Sequence, residues 1–225
     1  MINITKSQPA PECLESEKNI PSSKDYRCGD VVARLKFDSH NKCYLCEEKY
    51  ISSINVEHFV PHKGKNRDLM FDWNNLFFVC VHCNNTKRAD DSEILNCTNS
   101  KHKILELIKF DIKAFPKEKA KIIALSEDNI VKNTVLLLDK IYNGTHTGIK
   151  IEEADNICKK LVDEIAIFGD ILRKYDDTYD DNEKDEFRKS IIRNLSPKSP
   201  FTAFKVWIIK ENEFLNSEFN QYLPT

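Results

Sequence analysis

The sequence predicts an α+β fold, a short strand–loop–strand–helix module followed by a mostly helical module. Three observations predict it. Two Cys-x-x-Cys pairs, Cys43/Cys46 and Cys80/Cys83, bracket a 33-residue insert (47–79) that holds two short β-type runs. Beyond residue 126 the apolar residues recur at helical spacing. Gly is scarce, at 5 of 225 residues, while charged residues reach 31% and apolar ones 40%. That composition favours helix and supplies enough apolar surface for a core.

Residues 1–28 read as an extended lead-in, because Pro9, Pro11 and Pro21 interrupt any helix. Val31, Leu35 and Phe37 are spaced for a short helix over 30–39. Residues 51–58, rich in Ile, Val and Ser, predict a strand that ends at Glu57-His58. A polar loop over 60–75 follows. The apolar run 76–79 predicts a second strand, and 81–89 a short helix that begins at the second cysteine pair. From 106 to 124 alternating apolar residues broken at Pro116 predict a hairpin, with a helix stopped by Pro116 as the alternative. Ser126 is the expected cap of a helix burying Ile130, Thr134, Leu137, Leu138 and Ile141, with Gly144 as its stop. A longer helix over 151–175 carries Ile157, Leu161, Ile165, Phe168 and Leu172 on one face. The acidic run 176–186 is a linker or helix start, and 187–195 and 201–219 predict two final helices separated by Ser196-Pro197-Lys198-Ser199-Pro200. The domain boundary is expected near residue 100, giving modules 1–100 and 101–225.

Charge excludes one class of function. The net charge is −2; residues 1–100 carry 13 Lys+Arg against 14 Asp+Glu, and the remainder 21 against 22. Neither half is a basic module that binds nucleic acid by charge alone. No run of about 20 apolar residues is available to cross a membrane. The opening MINITKSQPAPECLESEK lacks the apolar core of a secretion signal, so a cytoplasmic protein is expected. In a reducing cytosol paired cysteines favour metal over disulfide.

Each Cys-x-x-Cys turn aims two thiolates at one point, and two turns supply the tetrahedral sulfur set that Zn²⁺ prefers. Cys43, Cys46, Cys80 and Cys83 are therefore the expected structural zinc ligands, and the module is zinc-stapled. The insert is longer than the roughly 15–20 residues between ordinary zinc knuckles, and its polar residues point to an active site. Phosphodiester hydrolysis needs a base for water, a Lewis acid for the phosphate and a group to orient the base. His58 is the expected base. Glu57 and Asn84 offer hard oxygen ligands for a catalytic Mg²⁺ or Mn²⁺. Asn75 is read as fixing the His58 ring by hydrogen bonding near it. Lys87, three residues after Asn84, is read as reaching a phosphate oxygen.

The segments EHFVPH, WNNL and CVHCNNTK resemble the HNH endonuclease motif, the ββα-metal nuclease site, in its four-cysteine zinc form. His58 matches the first His and Asn75 the middle Asn. Asn84 stands at the last His, an H-N-N variant, and Glu57 stands where the family often has Asp. With the start MINITKSQPAPECL and the segment SPFTAFKVWII, the chain is also similar to the HNH nucleases of Septu-type and retron-associated antiphage systems (PtuB-like). That resemblance implies a DNA-cleaving effector working beside an ABC/SMC-like ATPase. The helical half then docks on that partner, and in the retron setting a reverse transcriptase or retron DNA is a further partner.

Plainer readings stand beside these. A zinc-stapled, non-catalytic adaptor or nucleic-acid-binding module would present the helical half to a partner, because a shared fold does not guarantee a shared function. RNA in place of DNA is compatible with the same metal chemistry. His62 contacts substrate or merely holds its loop, and His82 is read as a surface residue of its knuckle. Asp72-Trp73 is read as packing and turn formation. Lys63, Lys65 and Arg67 either track a phosphate backbone or are simply solvated. Cys13, Cys28, Cys97 and Cys158, lacking partner spacing, are read as ordinary small apolar residues.

Overall fold

A computed structural model describes residues 1–87, 93–144 and 147–224. The lead-in is not extended throughout: helix α1 spans Glu12–Lys18. Pro11 stands at its N-cap, where a missing N–H costs nothing, so this proline starts a helix instead of breaking one. Helix α2 spans Gly29–Asp38 and buries Val31 and Leu35, but Phe37 is exposed. Cys13 and Cys28 are disulfide-bonded, with Cα atoms 6.6 Å apart, which corrects the expectation that they have no partner.

Strands β1 (Ile54–His58) and β2 (Leu76–Cys80) pair antiparallel, with Glu57 opposite Phe77 and His58 opposite Leu76. All five β2 residues are buried, as its unbroken LFFVC run requires. The connecting segment is more ordered than the predicted loop. Asn66 caps helix α3 (Arg67–Phe71) by accepting from the Leu69 N–H, and Asp72 caps a 3₁₀ turn over Trp73–Asn75. Helix α4 (Val81–Thr86) starts directly on Cys80. Residues 88 and 89, expected in the same helix, lie outside the described residues.

A one-turn helix α5 (Ile104–Leu107) runs into the hairpin β3 (Ile108–Asp111) and β4 (Lys121–Ala124), which decides for the hairpin over a helix ended by Pro116. Helix α6 spans Asn129–Asn143. Its N-cap is Asp128 and not Ser126, whose hydroxyl instead accepts from the Asp128 N–H. Gly144 does end it. At φ 50° an added Cβ would lie 2.6 Å from the Lys150 carbonyl oxygen, so only glycine fits. Helix α7 covers Gly148–Asp177, α8 Asp181–Leu195, α9 Thr202–Glu211 and α10 Glu213–Phe219. The predicted single helix over 201–219 is split at Asn212, whose side chain caps α10. No helix among the described residues is long and apolar enough to cross a membrane.

One apolar cluster runs from Cys43, Leu45, Phe77 and the other cysteines of the two Cys-x-x-Cys pairs through Phe110, Leu138, Tyr142, Leu161 and Phe168 to Phe204 and Phe219. The boundary expected near residue 100 passes through this cluster. A smaller cluster (Leu14, Val31, Leu35, Val56, Met70, Phe71, Trp73, Leu76, Phe78) packs the lead-in helices on the other face of the β1–β2 hairpin. The hairpin is therefore covered on both sides. At roughly 1.5–3 kcal/mol for each fully buried large side chain, these two clusters stabilise it from both faces.

Candidate active site

The four cysteines converge. The ligand atoms of Cys43, Cys46, Cys80 and Cys83 lie within 4.8 Å of one another, and all four residues are buried. Cys46 and Cys80 Sγ are 3.9 Å apart. Burial pushes the Cys46 and Cys83 thiols up. Cys43 is equally buried, yet hydrogen bonds from the other three draw it well below its ordinary value. Four buried sulfurs converging on one point are the tetrahedral set that Zn²⁺ takes, so the donor set fits zinc. Two further ties join the knuckles to the helical half. Tyr142 Oη donates to the Cys46 carbonyl oxygen at 2.7 Å. His82 is buried, with Nδ1 2.8 Å from Glu153 Oε2 and Nε2 2.9 Å from the Ile141 carbonyl oxygen. This corrects its reading as a surface residue: it is the pin between α4, α6 and α7.

The staple sets α4 against the end of β1, and there a cavity of about 300 Å³ opens, lined by Glu57, His58, His62, Asn84 and Lys87 among others. Strand alternation alone would send Glu57 and His58 to opposite faces. Both reach the cavity because β1 stops at His58 and the chain turns away at Phe59 and Val60.

The histidine is the best defined of the group. His58 Nε2 lies 2.9 Å from the Met70 carbonyl oxygen. A carbonyl can only accept, so Nε2 carries the proton and Nδ1 keeps its lone pair. Burial lowers the pKa of His58 below 6.5, and the nearby His62, Lys87 and Arg27 add to this, against the pull of the Met70 bond. The ring is thus held neutral at neutral pH, in the form that accepts a proton.

Glu57 is 7% exposed. Its Oε1 pairs with the Lys87 ammonium at 2.6 Å, and Tyr44 Oη lies 3.3 and 3.2 Å from its two oxygens. Burial pushes the carboxyl up to about 7 despite the Lys87 charge. Lys87 therefore differs from its sequence reading. Its ammonium is buried on Glu57 and the Phe59 carbonyl oxygen, 3.1 Å away, and is not extended toward a phosphate. The Lys87 ammonium already occupies Glu57 Oε1. With Asn84 on the same cavity wall, a carboxylate and a carboxamide face one space, and this donor set fits a hard divalent ion.

Asn75 does not bond the His58 ring. Its Nδ2 donates to the Val60 and Leu69 carbonyl oxygens, each at 2.9 Å, and its Oδ1 accepts from the Val60 N–H at 2.7 Å. It clamps the two ends of the 60–69 loop together. Leu69 precedes Met70, so the clamp acts on His58 at one remove, by placing the carbonyl that holds the ring. Arg67, read as a candidate phosphate contact, is spent inside the protein. Its guanidinium donates to carbonyl oxygens of Glu17, Lys18, Ile20 and Ser23 and so closes the C-terminal end of α1. Lys63 and Lys65 remain exposed on the loop.

Two contributors were hidden in the sequence. Tyr26, in the lead-in, packs edge-on against the His58 ring with centroids 4.3 Å apart. The Met70 carbonyl is a backbone group with no residue signature. Neither could be found from spacing, because both arrive through tertiary packing of segments far from Cys43.

A hairpin and helix joined at four converging cysteines thus close on a cavity lined by a carboxyl, an imidazole and a carboxamide. Residues 43–90 match the HNH endonuclease family, so this stretch is an HNH endonuclease domain with its four-cysteine cluster. No curated protein matches the chain.

Proposed function

We propose that the chain is a metal-dependent HNH endonuclease hydrolysing DNA phosphodiester bonds. The observation that supports this most is a cavity lined by His58, Glu57 and Asn84, in which the His58 Nε2–H is spent on Met70 and Nδ1 has no hydrogen-bond partner among the described residues. In this reading His58 takes the proton of the attacking water at Nδ1. The oxygen of that water forms the new P–O bond, and the P–O bond to the leaving sugar oxygen breaks. Glu57 and Asn84 would hold Mg²⁺ or Mn²⁺, which would supply Lewis-acid chemistry to the phosphate and the leaving oxygen. Asn75 and the Met70 carbonyl keep the ring in register, and Lys87 balances the buried Glu57 charge. The zinc on Cys43, Cys46, Cys80 and Cys83 is structural.

The experiment is single-turnover cleavage of a DNA duplex with Mg²⁺ or Mn²⁺, using the chain purified from its native host with whatever co-purifies. His58→Ala should lose about 10²-fold or more, the scale of a removed general base. Cleavage at the wild-type rate by that variant would sink the nuclease reading.

The likeness to Septu-type and retron-associated nucleases carries the reading further, to the effector of an antiphage complex with an ABC/SMC-like ATPase docked on the helical half. The near-balanced charge supports a partner, since the lone chain has little positive field with which to gather DNA. Identification of an ATPase among the co-purifying proteins tests it, and a chain that purifies alone and cleaves at full rate argues against it.

A further inference from the structure

His62 stands beside the candidate base, on the wall of the same cavity. The rings of His58 and His62 meet edge-on with centroids 4.4 Å apart, and both line the cavity. The His62 backbone is anchored by its own turn, where its carbonyl oxygen accepts from the Lys65 and Asn66 N–H groups at 3.1 and 3.0 Å. Its Nδ1 lies 3.1 Å from the Gly64 nitrogen. A backbone N–H can only donate, so Nδ1 is the acceptor and the proton of the ring sits on Nε2. Gly64 adopts φ +67°, a conformation that suits glycine and brings that N–H back onto the ring.

The two histidines therefore present opposite faces of the same tautomer. His58 spends its Nε2–H on Met70 and keeps Nδ1 as an acceptor. His62 spends Nδ1 on Gly64 and keeps Nε2–H as a donor. One acceptor and one donor, on touching rings at the edge of one cavity, match the needs of a water being deprotonated next to a phosphate gaining negative charge.

We infer that His62 is a second catalytic histidine, whose Nε2–H donates to a non-bridging oxygen of the phosphate attacked by the water that His58 deprotonates. This rests on the nuclease reading above. A role as a metal ligand fits less well. Among the described residues, ligand atoms of Glu57, His58 and His62 do not gather within 4.8 Å of one another as the four cysteines do. A role in protonating the leaving oxygen also fits less well. In an in-line displacement the leaving oxygen lies across the phosphorus from the attacking water. A ring in contact with the base is on the wrong side to reach it. No proton changes hands at His62 in this step; it lends a hydrogen bond that strengthens as charge builds.

The test uses the full zinc-loaded chain, purified as above, with Mg²⁺ or Mn²⁺ and two substrates. One is a DNA duplex. The other is bis(p-nitrophenyl) phosphate, whose p-nitrophenolate leaves without needing a proton. His62→Ala should slow cleavage of both by about 10²-fold, the scale of a lost oxyanion donor. DNA affinity should stay within about 3-fold, which is under 1 kcal/mol. His62→Gln, whose amide N–H restores a donor, should recover part of the rate. Nitrogen-detected NMR should show the His58 ring of His62→Ala still protonated at Nε2, which separates lost chemistry from a disturbed base. Three results would overturn the inference: a wild-type rate for His62→Ala, a loss on DNA that vanishes on the activated ester, or a rate loss matched by lost DNA binding. The same assay keeps the underlying reading separate. His58→Ala at the wild-type rate, or a wild type that cleaves neither substrate, defeats the nuclease itself, whereas a dead His58→Ala beside a fully active His62→Ala defeats only the role of His62.

Discussion

Asn75 offers the sharpest test of how this site is held together. Asn75→Ala removes three hydrogen bonds: two donated by Nδ2 to Val60 and Leu69 and one accepted by Oδ1 from Val60. The residue is 5% exposed, so water does not readily replace them. At about 1 kcal/mol net for each bond the loss is about 3 kcal/mol, with the stranded loop carbonyls able to raise it further. For a chain of this size about 2–4 °C of melting temperature goes with each kcal/mol, so a fall of about 6–12 °C is expected by calorimetry. The catalytic effect follows from the same geometry. With Leu69 released, the Met70 carbonyl shifts and the His58 ring loses its register, and a displacement of about 1 Å can cost on the order of 10²-fold in rate. Asn75→Asp is the companion variant. It keeps the acceptor for the Val60 N–H but sets a carboxylate against two carbonyl oxygens, and it should destabilise at least as much. An Asn75→Ala protein that unfolds within about 0.5 kcal/mol of the wild type would refute the clamp. So would one that is destabilised as expected yet cleaves at the full rate.

Three further outcomes are expected. Cys83→Ser should leave the HNH domain unfolded and free of zinc, because binding of a structural zinc is part of the folding free energy; circular dichroism with metal analysis checks this, and a folded, zinc-free variant contradicts it. The rate should rise with pH as His58, lowered below 6.5 by burial, and Glu57, pushed up to about 7, both lose their protons; a rate that stays flat between roughly pH 5 and 8 would remove both from their roles. Although burial alone would raise it, the Met1 amino group and the Lys42 ammonium hold buried Glu47 down at about 2. A depressed carboxyl stabilises above its unfolded pKa and loses that contribution as pH falls through its folded one. Stability should therefore drop by about 3 kcal/mol between roughly pH 4.5 and 2, and Glu47→Gln should abolish that slope while weakening the protein at neutral pH by stranding Lys42.

What the chain writes locally was legible in its residues. Two Cys-x-x-Cys turns, the strand ending at His58, the apolar run of β2, the helix started at Cys80 and the stop at Gly144 all depend on neighbours a few positions away. Period and turn chemistry express such features directly. Glu57, His58 and Asn84 could be assembled on one cavity because their spacing follows from a hairpin and a helix of short, regular geometry. Tertiary structure alone decided what each side chain does there. It put Lys87 on Glu57 instead of a phosphate, Asn75 on a loop instead of the His58 ring, and Arg67 on the end of α1. It buried His82 between three helices, joined Cys13 to Cys28, and brought Tyr26 and His62 against the His58 ring. Those outcomes depend on which polar groups burial leaves needing partners, and a partner is chosen by distance in space across segments that the sequence keeps far apart.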